Sequence, residues 1–367
     1  MYLLETHLQF SPEHFIGVDV SKNKLDFAVL SADKKLLLHR EIKNVPTAIS
    51  AFLDELKTSE GLNLKKAVFC MEATGFYCNH LIDALHGRKV NFAVENPLHI
   101  KRSLGIVREK TDGGDSVLIA HFAQKTADTL RLWLPKRPVL ITLMSLTLIR
   151  DRLIRIINML EVPLNEADGF LPREQDRANR SVSKRSLTAL RNDLKKVEKK
   201  IKLAVKNDRA LAHLYQLVTS VPGVGPLTAV QILITTNEFR SITNAKKFAC
   251  YAGIAPFKNE SGLSRKRGRV SHIANKKIKS LLHMCAMKAI TWDPELRSYY
   301  QRRTQMDKKP KMLVLNAVRN KLVHRVFTCI RMNRSYVRLT DGNFNPQNLL
   351  DPTGVETRET VSTFYER

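Results

Sequence analysis

Apolar residues fall in short unbroken runs over the first hundred positions and at helical spacing over most of the rest. Runs at 14–20 and 25–30 flank a polar break, Ser21 to Lys24, which predicts two antiparallel strands, 14–20 and 24–31, with a third at 34–42. Ile49, Phe52, Leu53 and Leu56 predict a helix over 46–59. A strand from Lys66 to Met71, a helix from Phe76 to Leu85, a strand from Lys89 to Val94 and a short helix opened by Pro97 follow. The order βββαβαβα is that of a mixed α/β domain.

Beyond residue 115 the period changes. Leu140, Leu143, Leu146, Ile149, Leu153 and Ile157 form one stripe within 139–165, and Leu187, Leu190, Leu194, Val197 and Ile201 form another within 182–217. Two long helices are expected, paired as a coiled coil within the chain or between chains. Val221-Pro222-Gly223-Val224-Gly225-Pro226-Leu227 then leads into an apolar helix, Thr228 to Ile234. Two glycines two apart suit a tight turn whose N–H groups can face a phosphate, as in a helix-hairpin-helix. A short helix and turn over 245–256, an irregular loop over 257–271, a helix over 278–290 and a basic amphipathic helix carrying Leu313, Leu315, Val318, Leu322 and Val326 complete the chain, with a loose tail after 340.

Charge divides the chain unevenly. Of the net +26, residues 1–135 contribute +1 and the remainder +25. Residues 256–280 hold eight basic residues against one acidic, and 297–334 eleven against one. A near-neutral front and a strongly basic remainder point to chemistry in front and polyanion binding behind. The five cysteines are odd in number and lack metal-site spacing, as in a reducing cytoplasm. No stretch approaches the ~20 apolar residues of a membrane span, and no secretion signal opens the chain, so the expected location is cytoplasmic, at the nucleoid.

The candidate chemistry lies at strand ends. The run Phe15-Ile16-Gly17-Val18-Asp19 stops on a carboxylate, and the run ending Cys70-Met71-Glu72 does so again. Lys110-Thr111-Asp112-Gly113-Gly114-Asp115 adds two acids three apart, sharing a helical face if both lie in the first turn. Helix capping accounts for one such aspartate but not for Asp19 and Glu72. Four crowded carboxylates repel one another unless a hard cation such as Mg²⁺ sits among them. A sugar kinase or actin-like ATPase also opens on a strand ending Gly-x-Asp, but needs a second glycine-rich phosphate loop that this sequence lacks.

Taken in order, these motifs resemble the DEDD transposases of bacterial insertion sequences, described as bridge-RNA-guided serine recombinases. The resemblance covers nearly the whole chain. It implies an RNase H-like (RuvC-like) catalytic domain over 14–135, a coiled-coil connector over 136–217, a mainly α C-terminal transposase domain over 218–335 and a tail over 336–367. It implies Asp19, Glu72, Asp112 and Asp115 as the Mg²⁺-binding catalytic acids and Ser261, before Gly262, as the nucleophile, with Ser264 and Ser271 as nearby alternatives. It further implies cutting and rejoining of donor and target DNA through a phosphoserine link, selection of sites by a structured non-coding RNA, and a dimer or tetramer. Gly223, Gly225, Arg265, Lys266, Arg267 and Arg269 are the expected nucleic-acid contacts. The competing readings are a metal-dependent junction nuclease that uses the acids alone, and a non-catalytic nucleic-acid-binding protein.

Overall fold

The computed structural model of the protein describes residues 8, 10–58, 62–103, 114–261, 264–271 and 273–337, with the backbone alone described over 258–269. Contacts divide the chain into two units, Met1–Asp208 with Ile232–Lys276, and Arg209–Gln231 with Lys277–Arg367.

The first unit is built on a five-stranded sheet. β1 (His14–Val20) pairs antiparallel with β2 (Lys24–Ser31), and β2 with β3 (Leu36–Lys43). After α1 (Pro46–Thr58), β4 (Ala67–Glu72) joins the other side of β1 in parallel. After α2 (Asn79–Gly87), β5 (Asn91–Glu95) lies parallel to β4. The resulting order, β3-β2-β1-β4-β5, is the RNase H-like (RuvC-like) arrangement.

Side-chain alternation divides the sheet into two faces. Ile16, Val18 and Val20 join Leu25, Phe27, Val29, Phe69 and Met71 under α1 and α2. Phe15, Leu30, Val68, Cys70 and Ala93 face the other way, against Ile119, Ala120, Phe122 and Ala123 of α4 (Gly114–Lys125), which follows α3 (Pro97–Ser103). Both faces of β1 and β4 are covered, which explains why they read as apolar runs without alternation.

Gly17 is where α4 crosses β1. A Cβ there would run into the Ser116 carbonyl oxygen and the Ala120 nitrogen. Gly17→Val should therefore push α4 off the sheet, destabilising the unit by about 3 kcal/mol. Urea unfolding checks this, and an unmoved midpoint would contradict the close approach.

α5 (Pro138–Glu166) and α6 (Arg173–Lys206) pack antiparallel within the chain. Arg150 Nε donates to Glu198 at 2.9 Å, Arg191 pairs with Glu161, and Arg180 Nη2 donates to the Leu164 carbonyl at 2.6 Å. At the open end Arg137 forks between Asp208, at 2.7 and 3.0 Å, and Glu238, at 2.8 Å from Nε. Those two carboxylates hold its guanidinium further into the charged form. The expected pattern over 182–217 is in fact two helices. α6 starts earlier, at Arg173, and Asn207-Asp208 separates it from α7 (Arg209–Thr219), because Asp208 is drawn to Arg137.

Beyond α8 (Pro226–Thr236) and α9 (Ala245–Tyr251), the expected irregular loop is a hairpin, β6 (Pro256–Ser261) with β7 (Ser264–Val270). The charged composition hid it, since strand pairing is made by backbone groups and needs no apolar side chains. Its register slips between Phe257 and Asn259, which also breaks the alternation that sequence reading relies on.

The second unit is helical. The Pro222–Gly225 turn between α7 and α8 lies against α10 (Lys276–Trp292), followed by α11 (Pro294–Gln301) and α12 (Lys311–Met332). No helix among the described residues is long and apolar enough to cross a membrane.

Candidate active site

Strand parity and register bring the acids together. Asp19 shares the α4 face with Phe15, and Glu72 shares it with Val68 and Cys70. Val18 pairs with Met71, so Asp19 and Glu72 come next along two adjacent parallel strands. Asp115 lies in the first turn of α4, one residue before the Ser116 carbonyl that meets Gly17. The close approach at Gly17 therefore fixes Asp115 relative to Asp19, two residues further along β1. Asn44 braces the site's edge, donating from Nδ2 to the carbonyls of Ser21, at 2.8 Å, and Tyr77, at 3.0 Å.

The electrostatics agree with this placement. Burial, then the charge of Asp115, raises the Asp19 pKa above the usual carboxylate value. Glu72 is raised by burial, then by Asp19 and Asp115. Three carboxylates are thus within mutual electrostatic reach. Among the described residues no group of three or more His, Cys, Asp or Glu side chains stands close enough to hold a metal ion. Asp112, the fourth acid, lies outside the described residues.

The same sheet face carries two acids that sequence reading missed. Asp26 pairs with Asp19 across β1 and β2, and Glu95 pairs with Glu72 across β4 and β5. Four neighbouring strands therefore present Asp26, Asp19, Glu72 and Glu95 in a row. A histidine stands at each end: His39 Nε2 lies 2.9 Å from Asp26, and His99 Nδ1 lies 3.1 Å from Glu95 with its ring edge-on to Phe122. Burial raises the Asp26 pKa against the opposing effect of His39. Glu95 ends an apolar strand, the signal that singled out Asp19 and Glu72, and Asp26 interrupts one.

The serine lies on the hairpin. Ser261 is the last residue of β6 and pairs with Ser264, the first of β7. Arg265 pairs with Glu260, Lys266 with Asn259 and Arg269 with Phe257, and Arg267 lies between them on β7. The side chains of Ser261, Ser264 and these four basic residues lie outside the described residues. Ser271 is a turn residue, its hydroxyl accepting from Ile273 N at 3.1 Å.

In the second unit Gly223 has φ +90° and meets the Cys285 carbonyl and Ala289 of α10, so packing alone demands a glycine there. Gly225 has open space where a side chain would be. On α12, Arg325 is engaged with Asp293 and Glu295 at 2.6 and 2.7 Å, and Arg319 is buried. The basic count of that helix therefore overstates what it offers a ligand.

Residues 16–165 match a DEDD transposase family of the IS110 type, described as "Transposase", and residues 215–301 match the "Transposase IS116/IS110/IS902 family". The "Pilin gene-inverting protein" of Moraxella bovis is 27% identical over 332 residues, 88% of this chain and 97% of that protein. The "Transposase for insertion sequence element IS1111A" of Coxiella burnetii is 24% identical over 297 residues, 73% of this chain and 75% of its own. A solved structure, "T. thermophilus RuvC in complex with Holliday junction substrate", covers 33% of this chain and 99% of its own at 16% identity and TM-score 0.26, too slight a likeness to add to the strand order. With the two family matches taking in well over half of the chain, and with its strand-end acids on an RNase H-like sheet, the chain belongs to the IS110-type DEDD transposases of insertion sequences, which are DNA transposases.

Proposed function

We propose that the chain cuts and rejoins DNA at the carboxylate row, with Asp19, Glu72, Asp112 and Asp115 holding Mg²⁺ and Ser261 as the nucleophile. The observation that carries this reading is the convergence of Asp19 and Glu72 with Asp115 at the start of α4: burial and then Asp115 raise the Asp19 pKa, and burial and then Asp19 and Asp115 raise that of Glu72. The three do not by themselves stand close enough to hold an ion; with Asp112 they make the proposed set for a hard divalent cation, whose charge would relieve that repulsion. A divalent ion bound there neutralises charge developing on the scissile phosphate and on the leaving oxygen. In the proposed reaction the Ser261 oxygen attacks the scissile phosphorus, a deoxyribose oxygen leaves, and a deoxyribose hydroxyl of the new partner strand later displaces the serine.

The relatives named for pilin gene inversion and for transposition support a cut-and-rejoin reaction. A structured non-coding RNA is the proposed selector of donor and target, since a basic protein surface binds nucleic acid through backbone and shape. The division proposed from sequence assigns the catalytic acids to 14–135, a helical connector to 136–217, a transposase domain with the serine loop to 218–335 and a tail to 336–367. A dimer or tetramer is supported by α5, where Ile141, Leu148, Ile149, Ile156 and Val162 are exposed largely at seven-residue steps, the spacing of a helix–helix seam.

The test is strand transfer between donor and target DNA, with and without RNA transcribed from the DNA flanking the coding sequence. Transfer should require both the RNA and a divalent cation. Transfer without RNA would remove the guide, and transfer in chelator would remove the acids' role. Binding to DNA without RNA should fall about 10³–10⁵-fold between 50 and 200 mM salt, as for ~6–10 neutralised phosphates. A flat salt response would mean that the +25 remainder serves something else.

A further inference from the structure

The closed end of the α5–α6 hairpin holds a groove of about 560 Å³ that no step of the proposed reaction uses. Its cations come largely from one stripe of α6. Arg177, Lys184 and Arg191 are seven residues apart, two helical turns or about 10.5 Å each, and Arg180 stands beside them. Arg191 is neutralised by Glu161 and Arg180 by Asp176, at 2.7 Å. Arg177 and Lys184 have no carboxylate partner among the described residues. The groove therefore presents spaced, uncompensated positive charge on a rigid helix pair. A single anion would meet one of these cations, whereas a chain of repeated anions meets several.

The turn beyond the groove carries the second observation. Gly169, at φ +79°, lets the chain reverse between the helices, and the next residue, Phe170, is 88% exposed. An aromatic ring held out in water next to a basic groove matches a platform on which a base stacks while its phosphates follow the cations. We propose that this groove and Phe170 form a binding site for single-stranded nucleic acid, taking phosphodiesters on Arg177 and Lys184 and a base on Phe170.

The full chain is titrated with labelled 15-nucleotide oligo-U RNA and oligo-dT DNA across a salt series. Arg177→Ala/Lys184→Ala should weaken binding about tenfold or more and reduce the log–log salt slope by about 1.4, for two lost contacts at ~0.7 each. Lys199→Ala/Lys202→Ala removes the same charge from α6 outside the groove and should change affinity less than about twofold, as for solvent-exposed charges. Phe170→Ala should weaken binding about fivefold or more without altering the salt slope. Loss for the RNA alone identifies the ligand as RNA, and loss for both identifies any single strand. Either result supports the site. Unchanged affinity for both oligonucleotides, in variants with wild-type helix content and melting temperature, overturns it. So does a Phe170→Ala variant whose only change is a lower sedimenting mass, which would make the tip a contact between copies.

Discussion

Asp19→Asn is expected to lower DNA strand cleavage about 10³-fold or more while leaving the protein folded. Metal stabilisation of phosphoryl-transfer charge is worth several kcal/mol, and each 1.36 kcal/mol is tenfold in rate. Asp19 is one of the two inner acids of the row, adjacent to Glu72 on one side and opposite Asp26 on the other, and its charge adds to burial in raising the pKa of both. The neutral amide keeps the side chain's shape, so the α4 face should pack as before. A binding readout separates chemistry from fold. Saturating divalent cation should stabilise the wild type, by about 2.7 kcal/mol at a hundred times the dissociation constant, and should shift the melting temperature of Asp19→Asn much less. Full cleavage by Asp19→Asn in Mg²⁺, or an equal metal-induced shift in both proteins, would sink the assignment of the acids.

Ser261→Ala is expected to abolish strand exchange and the covalent protein–DNA adduct, with DNA and RNA binding within about twofold of wild type. The hydroxyl is small and uncharged, so its removal leaves the phosphate contacts in place, whereas a nucleophile has no substitute. The adduct is the discriminating product. Wild-type enzyme with RNA and a nicked site should yield a species that survives denaturation, and mass spectrometry should place the DNA on Ser261. An adduct on Ser264, its partner across the hairpin, would move the assignment by one strand. Cleavage by Ser261→Ala with no adduct in either protein would favour a junction nuclease working through the acids alone. Because Asp19→Asn and Ser261→Ala fail in different ways, the two halves of the mechanism are tested separately.

Residues 14–42 show how far sequence reaches. Each strand there is written as a run of apolar residues ended by polar ones, so the strands and their order were legible. The same holds for Asp19 and Glu72, since a carboxylate closing an apolar strand is a local anomaly. The stripe of α5 and the Gly223 turn were legible for the same reason, being periodic or conformationally special within a few residues. The hairpin at 256–270 was not, because its ladder is made by backbone groups beneath a charged sequence.

Which acids lie side by side was a matter for the tertiary structure. Parity along a strand says that Asp19 shares a face with Phe15, but only the parallel register of β1 with β4 brings Glu72 beside it. The pairings Asp19 with Asp26 and Glu72 with Glu95 likewise depend on contacts between strands distant in sequence. Gly17 is one member of an apolar run in the sequence, and only the fold presses α4, a hundred residues later, against it. Local pattern determines which elements form, because propensity and periodicity act within a few residues. Neighbours across the sheet are chosen by long-range packing, and the geometry of the acids was decided there.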